Sequence, residues 1–404
     1  MDSSAREPFN RRFDDAFFAT LSARLEARVG PVPFRLAETP LFLDAPLRAA
    51  LCEGAESLTS QLLAPAVDAT LRQSVPARYD VPGTPALPDC VQVDFALADD
   101  GQGGIVPRLV ELQAFPSLYA FESVLAEVWG ELIGDAPGLA GPWTCFFEGD
   151  GARALDRVRR AILGGEDPEH VVLVDYAPMQ QKTLPDFVAS REFFGIDSVC
   201  VTALEVEGRR LYRQKDGRRV PVRRIYNRMV FDELEAKRVQ VPFDWREPLD
   251  VTWCSHPNWY WIWSKYALPF LDHPTVPRAR LLSDVDTRDL DLARYVLKPL
   301  YSFAGTGVVV DVTPEALAAV PTNERSGWLL QEKITYAEAI RAPESVGGFG
   351  VKAEVRVMMI RDPEENQLRT VLPLVRLSRG KLLGVDHNRN LSWVGASVGM
   401  WRDG

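Results

Sequence analysis

The segment YVLKPLYSFAGTGVVVDV, residues 295–312, sets one cation, Lys298, at the end of an apolar strand-like run and follows it with a loop holding Gly305 and Gly307. Glycine lets a backbone approach a ligand closely, and successive backbone N–H groups in such a loop form a concavity for anions. A lysine at the strand end adds a point charge for phosphate oxygens. Phosphate binding is one reading of this stretch; an exposed hairpin whose lysine lays its stem on apolar surface is the other. Two familiar phosphate loops are excluded. The chain has no GxxxxGK[ST], and the element after Gly307, VVVDV, reads as a strand where a dinucleotide-binding turn needs a helix.

Other polar groups recur in order along the chain. WLLQEKI ends an apolar strand in polar residues, and AEVRV places Glu354 and Arg356 on one strand face, opposite Val355 and Val357. VDHNRN supplies Asp386, Asn388 and Asn390. Carboxylate and amide oxygens beside a phosphate loop suit Mg²⁺; a solvated strand face and a plain turn are the alternative readings. Upstream, Glu111 and Gln113 share a strand face, with Asp94 on the partnering strand. That is either a ligand crevice or the wet face of an edge strand. Arg223, Arg224 and Arg228 bracket Ile225, Tyr226 and Asn227. Guanidinium forks suit a carboxylate substrate, and a surface charge run has the same composition.

The elements that must position these groups follow from periodicity. Phe13, Phe17, Leu21 and Leu25 predict one helix over 11–29, and a second is expected from about Pro46 to Leu63. VQVDFAL and PRLVELQAF alternate like the strands of a hairpin, and PSLYAFESVLAEVWGELI reads as a helix with Leu118, Phe121, Leu125, Val128 and Leu132 inward. HVVLVDYAP, TLPDFVASREFF (Thr183 as cap) and DSVCVTAL form a β–α–β unit and predict a parallel sheet. A hairpin is expected at Lys215-Asp216-Gly217, and a helix over HPNWYWIWSKYALPFL.

The chain's 404 residues, 46% hydrophobic, suffice for two or three domains with proper cores. A net charge of −10 argues against a general nucleic-acid binder. The five cysteines form no CxxC pair and the four histidines show no metal spacing, so reduced, buried thiols are expected rather than disulfides or zinc. The first residues lack the apolar core of a signal peptide and no window is apolar enough for a membrane span. A soluble cytoplasmic protein is expected, without nucleic-acid or membrane partners, and a homodimer is the default oligomer.

Taken in order, SKYALPFL, YVLKPLYSFAGTGV, LLQEKI, AEVRV and GVDHN resemble the ATP-grasp superfamily over residues 255–400. LVELQAFPS and RRIYNR resemble substrate-side segments of its glutathionylspermidine-synthase-like members. The resemblance implies an α/β (α+β) chain: a helical segment over 1–90, a Rossmann-like pre-ATP-grasp domain over 91–248, and an ATP-grasp domain over 249–404 whose two α+β subdomains clamp ATP. It implies that Lys265 and Lys298 meet ATP and that Ser302, Gly305, Thr306 and Gly307 form a loop over its phosphates. Gln331, Glu332, Lys333 and Ile334 would be the hinge at adenine, with Glu338 a ribose partner. Asp386 and Asn388 match a magnesium pair, with Glu354 standing in for the family's further acidic ligand, which LPLVRLSRG lacks. Arg356 and Arg376 would stabilise the transferred phosphoryl group; Glu111, Gln113, Arg224, Asn227 and Arg228 would face substrate. The implied activity is ATP-dependent ligation of a small-molecule carboxylate to an amine through an acyl phosphate, with ATP and Mg²⁺ as cofactors. An ATP-grasp small-molecule kinase and a non-catalytic nucleotide-binding scaffold are the alternatives.

Overall fold

The structure, a computed structural model, describes residues 1–134, 136, 138–301, 306–380 and 391–402. Helices α1 (Ser3–Arg12), α2 (Asp15–Val29), α3 (Ala45–Leu62) and α4 (Pro65–Arg72) open the chain. The single helix expected over 11–29 is two. Asp14 accepts the Phe17 N–H at 2.8 Å, so a strong N-cap restarts the helix just after Phe13. Leu21, Leu25 and Val29 face inward, as their spacing requires.

Strands β1 (Cys90–Asp99) and β2 (Ile105–Gln113) form the expected hairpin, followed by α5 (Tyr119–Gly134) and α6 (Gly151–Leu163). Leu118 stands outside α5, with φ 65°. Next come β3 (Val171–Asp175), α7 (Leu184–Phe194), β4 (Asp197–Cys200), β5 (Arg224–Asn227) and β6 (Thr252–Cys254). These strands make an all-parallel sheet in the order β6-β5-β3-β4, so the β–α–β reading holds. Thr183 does not cap α7 with its side chain; the residue before helical Leu184 leaves that to Pro185 in the first turn, which has no N–H to satisfy. The turn at Asp216-Gly217 closes the hairpin of Arg210–Lys215 and Arg218–Val222, both turn residues having positive φ.

The aromatic stretch near 260 is a short helix, Trp259–Ile262, then a 3₁₀ segment, Lys265–Phe270, rather than one helix. Ser264 accepts the Tyr266 N–H at 3.2 Å and starts the second piece, and Pro269 has no N–H to continue an α-helix. β7 (Ala279–Leu281), β8 (Tyr295–Pro299) and β9 (Trp328–Glu332) form a small antiparallel sheet in the order β7-β9-β8. It has its own core of Leu282, Leu297, Val312, Leu317, Val320 and Leu330. The strand expected at VVVDV is reduced to one bridge, in which Leu297 and Val309 exchange N–H···O bonds of 2.9 and 2.8 Å.

β10 (Gly350–Asp362), β11 (Gln367–Ser378) and β12 (Gly395–Arg402) build the large sheet, in the order β12-β11-β10-β1-β2, with Leu41–Phe42 parallel along β12. The hairpin of residues 90–113 therefore pairs with the C-terminal strands and not with the parallel sheet; divisions at 90/91 and 248/249 cut across one sheet. Val93, Phe95, Val355 and Val357 share its fully buried apolar face, each such side chain contributing about 1.5–3 kcal/mol relative to exposure. On that face Gly54 of α3 lies so near Phe95 that a Cβ would meet the ring at 3.2 Å. The register then forces Asp94, Glu354 and Arg356 onto the opposite face. Among the described residues no helix is long and apolar enough to cross a membrane.

Candidate active site

The polar face of the large sheet carries one stripe of charge across four strands. Cα register sets Arg376 beside Glu354, Arg356 beside Asp94, and Asp94 beside Glu111. Asp94 is fully buried and receives both arginines. Arg356 grips it in a fork, Nε to Oδ1 at 2.6 Å and Nη2 to Oδ2 at 2.8 Å, and Arg376 Nη2 donates to the same Oδ2. Arg376 also meets Glu354 at 3.1 Å, and the Tyr336 hydroxyl donates to the other Glu354 oxygen. Burial would raise the Asp94 pKa, but Arg356 and Arg376 outweigh it and hold the carboxyl at about 2. The Tyr336 phenol is pushed well above its ordinary value by burial and by Glu354, so it stays a donor.

Two lysines close over this stripe from other segments. Lys265, in the 3₁₀ turn, stands 3.7 Å from Glu111, and Lys298, at the end of β8, donates to the carbonyl of Val110 at 3.1 Å. Gln331 of β9 donates to the Leu109 carbonyl at 3.2 Å. Three consecutive residues of β2 thus meet three polar side chains from around the small sheet. Burial lowers the Lys298 pKa to about 8, Glu111 pulling it up and Lys265 pushing it down. Among the described residues, the cations Lys265, Lys298, Arg356 and Arg376 gather with the carboxylates Asp94, Glu111 and Glu354 in a place largely withdrawn from water. Clustered cations of this kind suit an anion.

Beside Lys265 the cleft opens into a small, half-open hollow. Glu111, Gln113, Ser264 and Lys265 make its polar end. Phe115, Tyr260 and Tyr301 make its aromatic end. The Tyr260 hydroxyl is spent on Asp232, and its ring meets Phe115 edge-on at 6.0 Å.

The structure revises several roles. Arg224 is a helix cap: Nε and Nη2 donate to the carbonyls of Ile162 and Ala161 at 2.8 and 2.9 Å, satisfying the end of α6. Arg228 is buried on Asp186, whose carboxylate in turn accepts the N–H groups of Leu118, Ala120 and Phe121 at the start of α5. Asn227 accepts the Met229 N–H at 3.2 Å, turning the chain after β5. These three are held inside the fold, and the carboxylate site expected of them is not where their donors point. Arg356 and Arg376 do reach the cleft, but as partners of Asp94. Glu354 is bound by Arg376 and Tyr336 rather than open to a metal. The N–H groups of Glu332 and Lys333 are used by the carbonyls of Arg278 and Arg294, at 2.9 and 2.8 Å, and Lys333 Nζ lies 3.5 Å from Asp311. Ile334 follows β9, and exposed Glu338 lies against Gly350. Thr306 and Gly307 are exposed, Gly307 at φ 76° with Pro299 against it, a position where a side chain would strain the backbone. Ser302, Gly305, Asp386 and Asn388 lie outside the described residues.

Among the described residues no group of three His, Cys, Asp or Glu could hold a metal. Asp94 and Glu354 are each paired with arginine, and the Asp386 and Asn388 pair expected for magnesium lies outside the described residues. The residues that sequence reasoning missed are Tyr336, Tyr260 and Tyr301. Tyr260 lies in the aromatic-rich stretch, but nothing in its spacing says which ring faces a cavity.

No protein-family model and no curated protein matches the chain. Among solved structures, a glutathione synthetase-like effector from Globodera pallida, in its apo form, is 12% identical over 91% of this chain and 96% of its own, with a TM-score of 0.60. The two share an α+β fold. A protein of Methylobacillus flagellatus KT named as a gamma-glutamylcysteine synthetase is 13% identical over 85% of each chain, with a TM-score of 0.38.

Proposed function

We propose that this chain is an ATP-dependent carboxylate–amine ligase of ATP-grasp type. The observation that carries the reading is the convergence of Lys265 and Lys298, from separate segments, on Val110 and Glu111 above the arginine-bearing stripe. A cationic cleft between two sheets suits a triphosphate, and the name of the Globodera pallida neighbour points to the same class of chemistry.

In this reading a carboxylate oxygen attacks the γ-phosphorus of ATP and the bond to the β-phosphate oxygen breaks, leaving an acyl phosphate and ADP. An amine then attacks the acyl carbon, phosphate departs, and the amine proton goes with it or to solvent. Charge gathers on the phosphoryl oxygens in the first step. The lysines offset it from fixed positions, which costs no reorganisation as the reaction proceeds. Arg356 and Arg376 are positioning residues, because Asp94 holds them and they in turn set the field at Glu111 and Glu354. Catalysis needs no nucleophilic side chain of the protein.

The expected outcome is phosphate release from ATP only when a carboxylate and an amine are both supplied, with a new amide seen by mass spectrometry. ADP with a stable phosphorylated product would instead mark a kinase. Tight ATP binding without turnover for any acid–amine pair would mark a scaffold.

A further inference from the structure

We propose that Tyr336 is a positioning residue of this cleft: its hydroxyl holds the Glu354 carboxylate and so sets how much negative charge an incoming anion meets beside Arg376. The proposal rests on the ligase reading above and adds a residue that tunes the cleft for phosphates.

The path of the chain brings Tyr336 there. Pairing of β10 with β1 begins at Glu354, which stands beside Ala96. One pleat further along β1, Ala98 faces Tyr336 instead. The backbone on either side of the tyrosine is tied to β1: the Asp99 N–H donates to the Thr335 carbonyl at 3.1 Å, and the Ala337 N–H to the Leu97 carbonyl at 2.9 Å. Ala96 and Ala98 alternate onto the same sheet face as Asp94. The segment that leaves β9 and reaches Ile340, which pairs with Val351 of β10, therefore delivers a phenol to the end of the charged stripe.

Glu354 is buried, and among the described residues each of its oxygens has one partner. Oε1 takes the Tyr336 hydroxyl at 2.5 Å, and Oε2 meets Arg376 at 3.1 Å. Arg376 is shared with Asp94. Without the hydroxyl, one buried carboxylate oxygen is left unpaired, which is costly. Glu354 must then lean on Arg376 alone, at the expense of Asp94. Its charge, less offset, stands in a cleft whose ligand is an anion. That charge reaches the lysines: burial lowers the Lys298 pKa, and Glu354 is among the carboxylates that oppose the shift. Burial and Glu354 together push the Tyr336 phenol well above its ordinary pKa, so the proton stays on its oxygen. Phenylalanine would keep the ring and remove only this donor.

The test is a double-mutant cycle read by calorimetric titration of the full chain with inorganic tripolyphosphate and, separately, with ATP and magnesium. Tyr336→Phe, checked for an unchanged thermal melt, should bind each anion about 5-fold more weakly than the wild type. In a Glu354→Gln background, where there is no carboxylate charge to offset, the same change should cost less than about 2-fold. Should Tyr336→Phe fail to fold, Tyr336→Met takes its place in both backgrounds. No loss in either background, or an equal loss in both, would overturn the positioning role and leave the ligase reading standing, because a ring that only packs has no coupling to Glu354. The expected pattern with tripolyphosphate in a protein that binds no ATP would sustain the role of Tyr336 and remove the ligase reading. A wild type that binds neither anion would overturn both.

Discussion

Lys298→Ala is expected to weaken ATP binding by about 10- to 100-fold, the range lost with one charge-assisted hydrogen bond of about 1.5–3 kcal/mol, while the fold stays intact. The lysine makes one described hydrogen bond inside the protein, to the Val110 carbonyl, and its burial as a cation is unfavourable in the absence of an anion, so its removal costs the apo protein little. The same group predicts a pH dependence. With its pKa lowered to about 8 by burial, Lys298 is charged below that value and neutral above it. A triphosphate favours the charged form. Affinity should therefore be flat below about pH 8 and fall as the pH rises beyond it, until the pKa of the complex is reached. Lys298→Arg keeps its charge throughout this range and should lose the decline. Isothermal titration from pH 6.5 to 9.5 measures all three proteins. A wild-type affinity that stays level to pH 9.5, or an alanine variant that binds as the wild type does, would contradict the role given to this lysine.

Asp94→Asn has the largest expected effect on stability. The carboxylate is fully buried and is the shared partner of Arg356 and Arg376. Breaking a buried ion pair from one side typically costs about 3–5 kcal/mol, because the remaining charge keeps its desolvation penalty. Here two guanidinium groups would share that loss, though Arg376 retains Glu354. Urea denaturation should show the drop as a lower midpoint at unchanged slope. The double change Asp94→Leu, Arg356→Met removes the main pair together and should be less destabilising than Asp94→Asn alone. A pH effect follows with a definite sign. The Asp94 pKa is lowered to about 2 in the folded protein, against about 3.9 in an unfolded chain. Its contribution is fully present above pH 4 and is lost as the pH falls through 4 to 2. The Asn variant should be less stable than the wild type at pH 7 and show a shallower loss of stability between pH 4 and 2. Equal slopes in that window would place the acid sensitivity elsewhere.

Local patterns carried much of the fold. Alternation in VQVDFAL gave β1, and an apolar run closed by Asp175 gave a parallel strand, because these depend on neighbours in sequence. The pairing of β1 with β10 was not legible. Residues 90–99 and 350–362 are far apart in the chain, and nothing in either stretch states its partner. The same gap explains the arginines. A guanidinium at residue 224 or 228 reads alike whether it meets a substrate or the end of a helix, and only the packing of α6 and α7 shows that Ile162 and Asp186 are the partners. Lys298 was legible because a cation interrupting an apolar strand is locally unfavourable and so calls for a reason. Lys265 took its role from resemblance alone, and its nearness to Glu111 came only with the packing. Asp94 looked secondary in sequence; its weight comes from two arginines on two different strands.

The central claim is that a nucleotide's phosphates lie between Lys265 and Lys298 over the charged stripe. A co-crystal structure with magnesium and a non-hydrolysable ATP analogue tests it most directly. The account predicts triphosphate density contacting both ammonium groups, with the terminal phosphate directed at the hollow beside Tyr260. A nucleotide bound away from both lysines, or none bound at millimolar analogue, would contradict it.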